Sequence, residues 1–267
     1  MAKKTEKTNA SGILLVKKLT QGFVEFHIVG ESPLLFRQMA AKARQSLLNP
    51  PPSTKGSTNK ADKIKHDPIR EFRDSMGTLP GGPTLACLPA TAFKGAIMSA
   101  AVEDVGSTKA QMGRLTNVEG EYVPIWGKPM IHSDMVRLSG QNRTPDVRTW
   151  AIMPEWATKI MVRYVTPPLN GSAIGNLLAN AGIFIGVGDG RPEKGKKSFG
   201  RFRIADKDDS DYKRITEQFG RQPQVEALSS PDYYTEETKE LLSEFFADIA
   251  NREMSNQITL PTNGKEI

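Results

Sequence analysis

The hydrophobic positions of this chain alternate with polar ones in some segments and recur at helical spacing in others. Residues 23–29 read Phe-Val-Glu-Phe-His-Ile-Val, an alternation typical of a half-buried strand. Residues 157–165 have a similar strand-like composition, and the prolines at 167 and 168 end that segment. Phe199–Ile204 alternates aromatic residues with arginine and predicts a further strand, as does the apolar run Ile183–Val187.

Five other segments have a helical composition and recognisable ends. In most of them a capping residue or a proline marks the start of the helix or the position just after its end. The predicted helices are Leu34–Leu48, Pro68–Met76 capped by Asp67, Ala92–Val105 capped by Thr91, Ser172–Ala181, and 235–251 capped by Thr235. Strands and helices in this mixture predict an α+β fold with an antiparallel sheet.

The polar and proline-rich stretches divide the chain. Residues 1–12 are basic and are predicted to be disordered, and 13–204 are predicted to form one domain. Within that domain, 49–66 is rich in Pro, Ser, Thr and Lys and predicts a flexible loop, whereas 107–156 predicts an inserted hairpin region. Residues 205–267 are predicted to be an acidic extension that carries the last helix.

Composition limits the functional classes. The chain has 267 residues and one cysteine, Cys87, in an apolar run, so we expect a buried, inert thiol and no disulfide framework. We find neither a signal peptide nor about 18 consecutive apolar residues, and we expect a cytoplasmic protein with no membrane partner.

Charge is unevenly distributed along the chain. The formal net charge of +6 combines −7 in residues 205–267 with +13 in residues 1–204. A basic body favours nucleic acid or another polyanion, with an unspecialised basic protein as the alternative. The acidic extension could compete for the same basic surface or recruit a protein partner.

One glycine-rich segment concentrates this positive charge. Between residues 191 and 203 there are six cations and a single acid, Glu193. Five glycines lie in or beside this stretch and would let backbone amides approach a bound anion. The cations are Arg191, Lys194, Lys196, Lys197, Arg201 and Arg203, and the glycines are 186, 188, 190, 195 and 200.

Small-nucleotide motifs fit this segment poorly. Gly190 to Lys196 resembles a phosphate-binding loop, but Lys197 stands where a magnesium-binding hydroxyl residue is required, and a strand-like segment follows instead of a helix. Phe199 and Phe202 lie among the arginines, a mixture of rings and cations that suits single-stranded nucleic acid. A solvated, lysine-rich hairpin turn is the alternative.

A second basic and aromatic region lies in the middle of the chain. Trp126, Trp150 and Trp156 flank Arg143 and Arg148, which suggests further contacts to a strand, with core packing as the alternative for each tryptophan. The three histidines, His27, His66 and His132, have no metal-ligand spacing, and no catalytic constellation is apparent. We therefore predict no metal, no cofactor and no catalytic residue.

Two motifs resemble known families. Leu88–Ala101, LPATAFKGAIMSAA, and Gly186–Ile204, GVGDGRPEKGKKSFGRFRI, resemble the RAMP superfamily of CRISPR-associated proteins. They are also similar to an uncharacterised bacteriophage protein family with a glycine-rich ending of the type GxGxxRPEKxGSFGxF. The resemblance implies a ferredoxin-like (RRM-like) core that binds single strands, often as repeated subunits.

The resemblance also implies a set of backbone contacts, carried over by position. They would be made by Lys94, Gly188, Gly190, Arg191, Lys194, Lys196, Lys197 and Arg201. RAMP endonucleases place a histidine in an early loop, whereas Glu31 and Ser32 occupy that loop here. This difference favours binding without cleavage.

The sequence thus predicts a phage-encoded, non-enzymatic protein that binds single-stranded DNA or RNA and could form homo-oligomers along the strand. Replication, recombination or interference with host defence are the roles expected of it. A metal-independent endoribonuclease of the RAMP type, using His27 or His132 with a nearby lysine, is one alternative. A regulator that acts through its acidic extension, by capturing proteins or mimicking nucleic acid, is the other.

Overall fold

The computed structural model describes residues 18–38, 67–137 and 145–258, with side chains described at 18–38, 67–134 and 147–251. The predicted disordered segment 1–12, the predicted loop 49–66 and Arg143 lie outside these ranges. Within them the protein has a mixed α+β fold, as the sequence predicts, built on a curled antiparallel sheet.

Ten strands and seven α-helices are described. The strands are β1 (Thr20–Gly30), β2 (Leu34–Leu35), β3 (Gly77–Thr78), β4 (Ala86–Pro89), β5 (Thr116–Val118), β6 (Tyr122–Trp126), β7 (Met130–Arg137), β8 (Pro145–Met153), β9 (Ala157–Thr166) and β10 (Phe202–Ala205). The helices are α1 (Pro68–Asp74), α2 (Ala90–Val105), α3 (Lys109–Leu115), α4 (Gly171–Asn180), α5 (Ser210–Gln218), α6 (Arg221–Ser229) and α7 (Glu236–Ile258).

The larger sheet has seven strands. Its order is β10-β1-β9-β6-β4-β3, and β5 pairs with β9 beside β6. β1 pairs with β9 over almost its whole length, from Thr20 opposite Thr166 to Val29 opposite Ala157. The long β1–β9 pair is therefore the centre of the sheet, and the shorter strands extend it on both sides.

A smaller sheet of three strands joins this body. Its order is β2-β8-β7, and β7 and β8 form a hairpin in which Asp134 lies opposite Arg148. Residues 107–156, predicted as one inserted hairpin region, are divided between the two sheets, because β5 and β6 belong to the larger sheet and β7 and β8 to the smaller one.

The main core lies between the larger sheet and helices α2 and α4. Phe93 and Ile97 of α2 and Ile174 of α4 are fully buried there, and Phe93 packs edge-on against Phe202 of β10. Burying such large apolar side chains contributes about 1.5–3 kcal/mol each. The junction between α2 and β10 is therefore a closely packed part of the core.

Several predicted elements are confirmed and three are wrong. Asp67 caps α1 by accepting a hydrogen bond from the Arg70 amide, as expected. Thr91 is not the cap of α2, because the helix already begins at Ala90, after Pro89. Ile183–Val187 is not a strand but continues α4 as a π-helical turn, Ala181–Ile185, since a short apolar run suits either state. Leu34 and Leu35 form a strand rather than the start of a helix.

The first part of the acidic extension is tied to the body. Gln224 of α6 is fully buried, and its side-chain oxygen accepts hydrogen bonds from the amides of Leu85 and Ala86. Its amide group donates to the carbonyls of Ile125 and Gly127. α6 therefore joins the ends of β4 and β6 in the larger sheet. That the acidic extension captures a protein partner stays a prediction.

The last helix also contacts the body. Thr235 accepts a hydrogen bond from the Thr238 amide, as predicted for a cap, and Leu242 is buried in the main core. None of the described helices is both long and apolar enough to cross a membrane.

Candidate functional site

The cationic, glycine-rich segment predicted from the sequence forms a loop between the π-helical turn and β10. We call residues 186–201 the glycine loop. Its backbone is bonded to the body: the Asp189 amide donates to the Leu35 carbonyl at 3.0 Å, and the Gly200 amide donates to the Pro33 carbonyl at 2.8 Å. Val187 donates to the Gly200 carbonyl at 2.9 Å, which closes the loop on itself. The loop is therefore an ordered platform.

Most of the glycines in this loop are explained by packing. At Gly200, with φ of 69°, an added Cβ would lie 1.8 Å from the Val187 carbonyl oxygen. At Gly188, with φ of 79°, it would lie 2.8 Å from the Leu35 carbonyl oxygen. These positions need glycine because the loop lies directly against itself and against β2, which is a different reason from the predicted approach of backbone amides to an anion.

Arg191 and Glu193 hold the loop in place from its other side. The Arg191 side chain donates to the Gly188 carbonyl at 3.0 Å and to the Glu193 carboxylate at 2.9 Å. Glu193 also accepts a hydrogen bond from Ser99 of α2 at 2.8 Å and one from Lys109 of α3 at 3.3 Å. One carboxylate therefore links the loop to two helices.

The environment of Glu193 keeps it ionised. Burial would raise the pKa of the Glu193 carboxyl, but hydrogen bonds from Ser99 and Arg191, the charge of Arg191 and a hydrogen bond from Lys109 together hold this pKa at about 2. Arg191, Lys109 and Lys194 lie within ion-pair distance of this single carboxylate, so the group carries a net positive charge.

The three lysines of the loop point outwards. Lys194 and Lys196 are exposed, and the Lys194 amine is 3.9 Å from Glu193. Lys197 donates to Asp134 of β7 at 2.8 Å and lies 5.5 Å from the centre of the Phe199 ring. The loop therefore presents a row of lysines on a backbone whose position is set by hydrogen bonds.

Phe199 and Arg148, separated in the sequence, come together beside Lys197. The Phe199 ring packs on a small apolar cluster with Leu35, Trp150 and Ile152. Arg148 lies on the same face of the smaller sheet as Trp150, opposite Asp134, the residue that pairs with Lys197. The structure thus joins the basic hairpin predicted in the middle of the chain to the glycine loop.

Two other predicted site residues, Arg201 and Arg203, are already paired with acidic side chains. Arg201 pairs with Glu31 at 3.3 Å, and Arg203 donates to Asp209 at 2.7 Å and also pairs with Asp211. Hydrogen bonding to Asp209 raises the pKa of Arg203. The pairs link the end of the glycine loop to Glu31, which follows β1, and β10 to the start of α5.

Lys94 lies on a different side of α2 from the glycine loop. Its amine donates to the Asn117 side chain of β5 at 3.4 Å. Trp156 is fully buried and Trp150 is 8% exposed, so neither ring presents a free face for stacking. For these two tryptophans, core packing is the better interpretation.

Two adjoining clefts lie between the glycine loop and α2. The smaller has a volume of about 240 Å³ and is lined by Thr91, Gly95, Ser99, Lys109, Glu193 and Lys194, among others. The larger, of about 450 Å³, is lined by Leu35, Phe36, Arg37, Leu88, Pro89 and Tyr122, among others. Ala92, Gly188 and Arg191 line both clefts, which therefore meet at Arg191.

Sequence reasoning missed Ser99, Lys109 and Gly95. Ser99 and Glu193 are 94 residues apart, and no local pattern connects them. Lys109 is the first residue of the short helix α3 and belongs to none of the sequence motifs. Gly95 was visible as a glycine inside a helix, a position that costs stability and calls for an explanation.

The titratable groups give no sign of a metal site. Among the described residues, no three His, Cys, Asp or Glu side chains are grouped closely enough to hold a metal ion. Burial raises the pKa of the Cys87 thiol to about 11, which keeps it protonated at neutral pH.

Comparison with known proteins adds no identity. No family model matches this chain, and no curated protein matches it in sequence.

Proposed function

We propose that this protein binds single-stranded nucleic acid, without cleaving it, through the outer side of the glycine loop. The observation that carries the proposal is the row formed by Lys194, Lys196 and Lys197 on a loop whose backbone is bonded to Leu35 of β2 and to Pro33 just before it. A row of cations on a fixed backbone suits the regularly spaced phosphates of a polymer, because the loop itself would not have to be ordered on binding.

A polymer is a better fit than a small nucleotide. The loop amides of Val187, Asp189 and Gly200 already donate to protein carbonyls and are not free to surround one phosphate group. The amines of Lys194 and Lys196 are accessible donors, and that of Lys197 is partly exposed although it is paired with Asp134. Amines contact phosphates as point charges with little demand on geometry. Such contacts favour a backbone of DNA or RNA over a specific mononucleotide.

We also propose that the centre of the fold is a ferredoxin-like core, related to the RAMP-like and phage proteins that the sequence resembles. The strand order β10-β1-β9-β6, with all pairs antiparallel, supports this. So does the placement of α2 between β1 and β6 in the chain, and of α4 between β9 and β10.

A titration at two salt concentrations tests the function. Fluorescence anisotropy with labelled single-stranded DNA and RNA should show binding that weakens as salt rises. Replacing Lys194, Lys196 and Lys197 together with alanine should make the slope of log K against log salt shallower by about 2, because each phosphate contact to a single strand contributes about 0.7.

The matched control removes the same charge elsewhere. Lys207, Lys213 and Lys239 are exposed and lie outside the glycine loop, so their triple alanine variant should keep most of the affinity and salt dependence of the unmodified protein. Equal losses in both triple variants would mean that overall charge, and not the loop, is responsible. No salt-sensitive binding by the unmodified protein would refute the function.

One observation favours RNA cleavage as a second candidate function. His132 lies on the same sheet face as Asp134, near Lys197, and burial followed by the charge of Lys197 lowers its pKa. Its Nδ1 is buried and has no hydrogen-bond partner in the described part of the chain, so the other ring nitrogen, Nε2, would have to act on the substrate. There a neutral imidazole can accept a proton from a ribose 2′-hydroxyl, while a neighbouring lysine stabilises the charge that develops on the phosphate.

Incubation with end-labelled RNA in the presence of a chelator separates the two candidates. Cleavage by this route should disappear in His132→Ala, persist in His27→Ala, and spare DNA, which has no 2′-hydroxyl. RNA that stays intact for hours with the unmodified protein would rule out the second candidate and leave binding alone.

A further inference from the structure

We infer that the paired clefts between the glycine loop and α2 hold one nucleotide unit of the bound strand, with its base in the larger cleft and the adjoining phosphate in the smaller one. This inference rests on the proposed function and adds the position and chemistry of a specific subsite. The two clefts share Ala92, Gly188 and Arg191, so a ligand can pass from one to the other without leaving the surface.

The larger cleft has the size and lining that a base requires. Its volume of about 450 Å³ lies within the range of about 300–1,000 Å³ that is usual for small-molecule pockets. Leu88 and Pro89 form part of an apolar wall, and the Tyr122 side chain, 44% exposed, stands at the edge. Arg37 and Gln38 add polar groups at the rim. A flat ring with polar edges matches this combination of apolar wall and polar rim.

The smaller cleft has the charge that a phosphate requires. Lys109, Arg191 and Lys194 line it and outnumber the single carboxylate of Glu193, which is only 20% exposed and already bonded to Ser99. The first turn of α2 lies at the same cleft and contains no acidic residue. The amide end of a helix adds favourable potential for an anion.

Gly95 gives an independent reason to place a ligand here. It lies inside α2 and lines the smaller cleft, and an added Cβ would meet nothing within 4 Å. Packing within the protein therefore does not explain why this position lacks a side chain. A glycine inside a helix destabilises it by roughly 0.5–1 kcal/mol relative to alanine. Close approach of a ligand to the helix backbone accounts for that cost.

Arg191 is suited to the junction of the two clefts. Its guanidinium is fixed by the Gly188 carbonyl and the Glu193 carboxylate, and its side chain is still 29% exposed. A guanidinium has five N–H donors in a rigid plane, so donors remain for a phosphate oxygen, and its face can lie against a base. Its orientation is set before any ligand arrives.

The test combines base removal with a variant that fills the cleft. The probes are fluorescein-labelled oligonucleotides of DNA and of RNA. Their length is roughly 16 nucleotides, which is the upper end of known site sizes. Each probe is made in an intact form and in a form in which all bases are replaced by abasic sites. Ala92→Met extends a side chain into both clefts, and Ala247→Met, on an exposed part of α7, is the matched control. Anisotropy gives the dissociation constants, and thermal unfolding checks that each variant is folded.

We expect removal of the bases to weaken binding by the unmodified protein and by Ala247→Met by about 5- to 150-fold, the range for loss of stacking of one base. Ala92→Met should bind the intact probe about as weakly as the unmodified protein binds the abasic probe. Removal of the bases should then not weaken its binding further. If Ala92→Met does not fold, Tyr122→Ala removes the edge of the larger cleft and should show the same insensitivity.

The remaining outcomes separate this inference from the function on which it rests. Salt-sensitive binding that depends neither on the bases nor on Ala92 and Tyr122 would overturn the subsite and leave the proposed function standing. Absence of binding by the unmodified protein to every probe would overturn both.

Discussion

The inner and outer sides of the glycine loop differ in what determines their residues. On the inner side, Gly188 and Gly200 lie so close to the Leu35 and Val187 carbonyl oxygens that no side chain fits. On the outer side, Gly195 faces open space between Lys194 and Lys196, both exposed. The inner side meets the requirements of packing against β2 and within the loop, whereas the outer side and the clefts towards α2 are open to a ligand.

This difference shows that a run of glycines and lysines is not one functional unit. In the sequence, the glycines at 186, 188, 190, 195 and 200 suggest a single phosphate-binding loop. In the structure, the loop is held against the protein by its own amides, and the cations on its outer surface are what remains for a polyanion. Variants on the two sides should therefore affect different measurements.

The largest effect is expected from Gly200→Ala. The added Cβ would lie 1.8 Å from the Val187 carbonyl oxygen at a residue with φ of 69°, so the backbone must move. We expect a loss of more than about 3 kcal/mol in the free energy of unfolding, measured by urea denaturation. Gly195→Ala is the control, because it has a similar φ of 71° and no neighbour within 4 Å, and it should lose only about 1–2 kcal/mol. Equal losses would contradict a role for packing on the inner side.

A smaller effect is expected from Glu193→Gln, which weakens the link between the loop and helices α2 and α3. Because the pKa of Glu193 is held at about 2 in the folded protein, its ionised form stabilises the fold above the ordinary carboxyl pKa. This contribution is lost as the pH falls from about 4.3 towards 2. At neutral pH we expect the variant to lose about 1–2 kcal/mol of unfolding free energy.

The pH dependence makes this prediction specific. The difference in unfolding free energy between the unmodified protein and Glu193→Gln should narrow as the pH falls through that window. Glu244→Gln, at an exposed glutamate of α7, should change stability by less than about 0.5 kcal/mol at any of these pH values. A constant difference across the range would mean that the Glu193 charge does not hold the loop.

The smallest effect, of opposite sign, is expected from Gly95→Ala. Its Cβ meets nothing within 4 Å, so alanine should raise the unfolding free energy by about 0.5–1 kcal/mol through helix propensity alone. Thermal unfolding measures this gain. A loss of stability would show that packing, and not the cleft, explains this glycine. The longer side chain of Gly95→Met should instead weaken binding of single strands in the anisotropy assay.

Local signals predicted the elements of the fold well where they were strong. The alternation in residues 23–29 and the composition of 157–165 gave strands that pair with each other in the sheet, and Asp67 caps α1 as expected. The errors occur where the local signal was ambiguous. The apolar run 183–187 suits a strand or a helix, and in the structure its first part belongs to a helical turn. This turn packs directly against Phe202, since a Cβ at Gly182 would lie 2.0 Å from the Phe202 carbonyl oxygen. The tertiary contact, and not the local pattern, determined the outcome.

The candidate site was predicted less completely. The sequence located the cations of the loop, but it could not show that Lys109 is paired with Glu193 or that Lys197 is paired with Asp134. Ion pairs of this kind depend on which segments the fold brings together. Composition counts charges and does not show which of them are already neutralised by neighbours.

The sequence by itself determined the strand alternation, the helix caps at Asp67 and Thr235 and the concentration of cations beside Gly195, because each follows from residues close together in the chain. Only the tertiary structure decided which glycines are required by packing and which lie open. It also decided that Ser99, Lys109 and Glu193 meet and that Lys197 reaches Asp134 of β7. The physical reason is that short-range sterics act along the backbone, whereas contacts between distant residues depend on sheet order and helix packing.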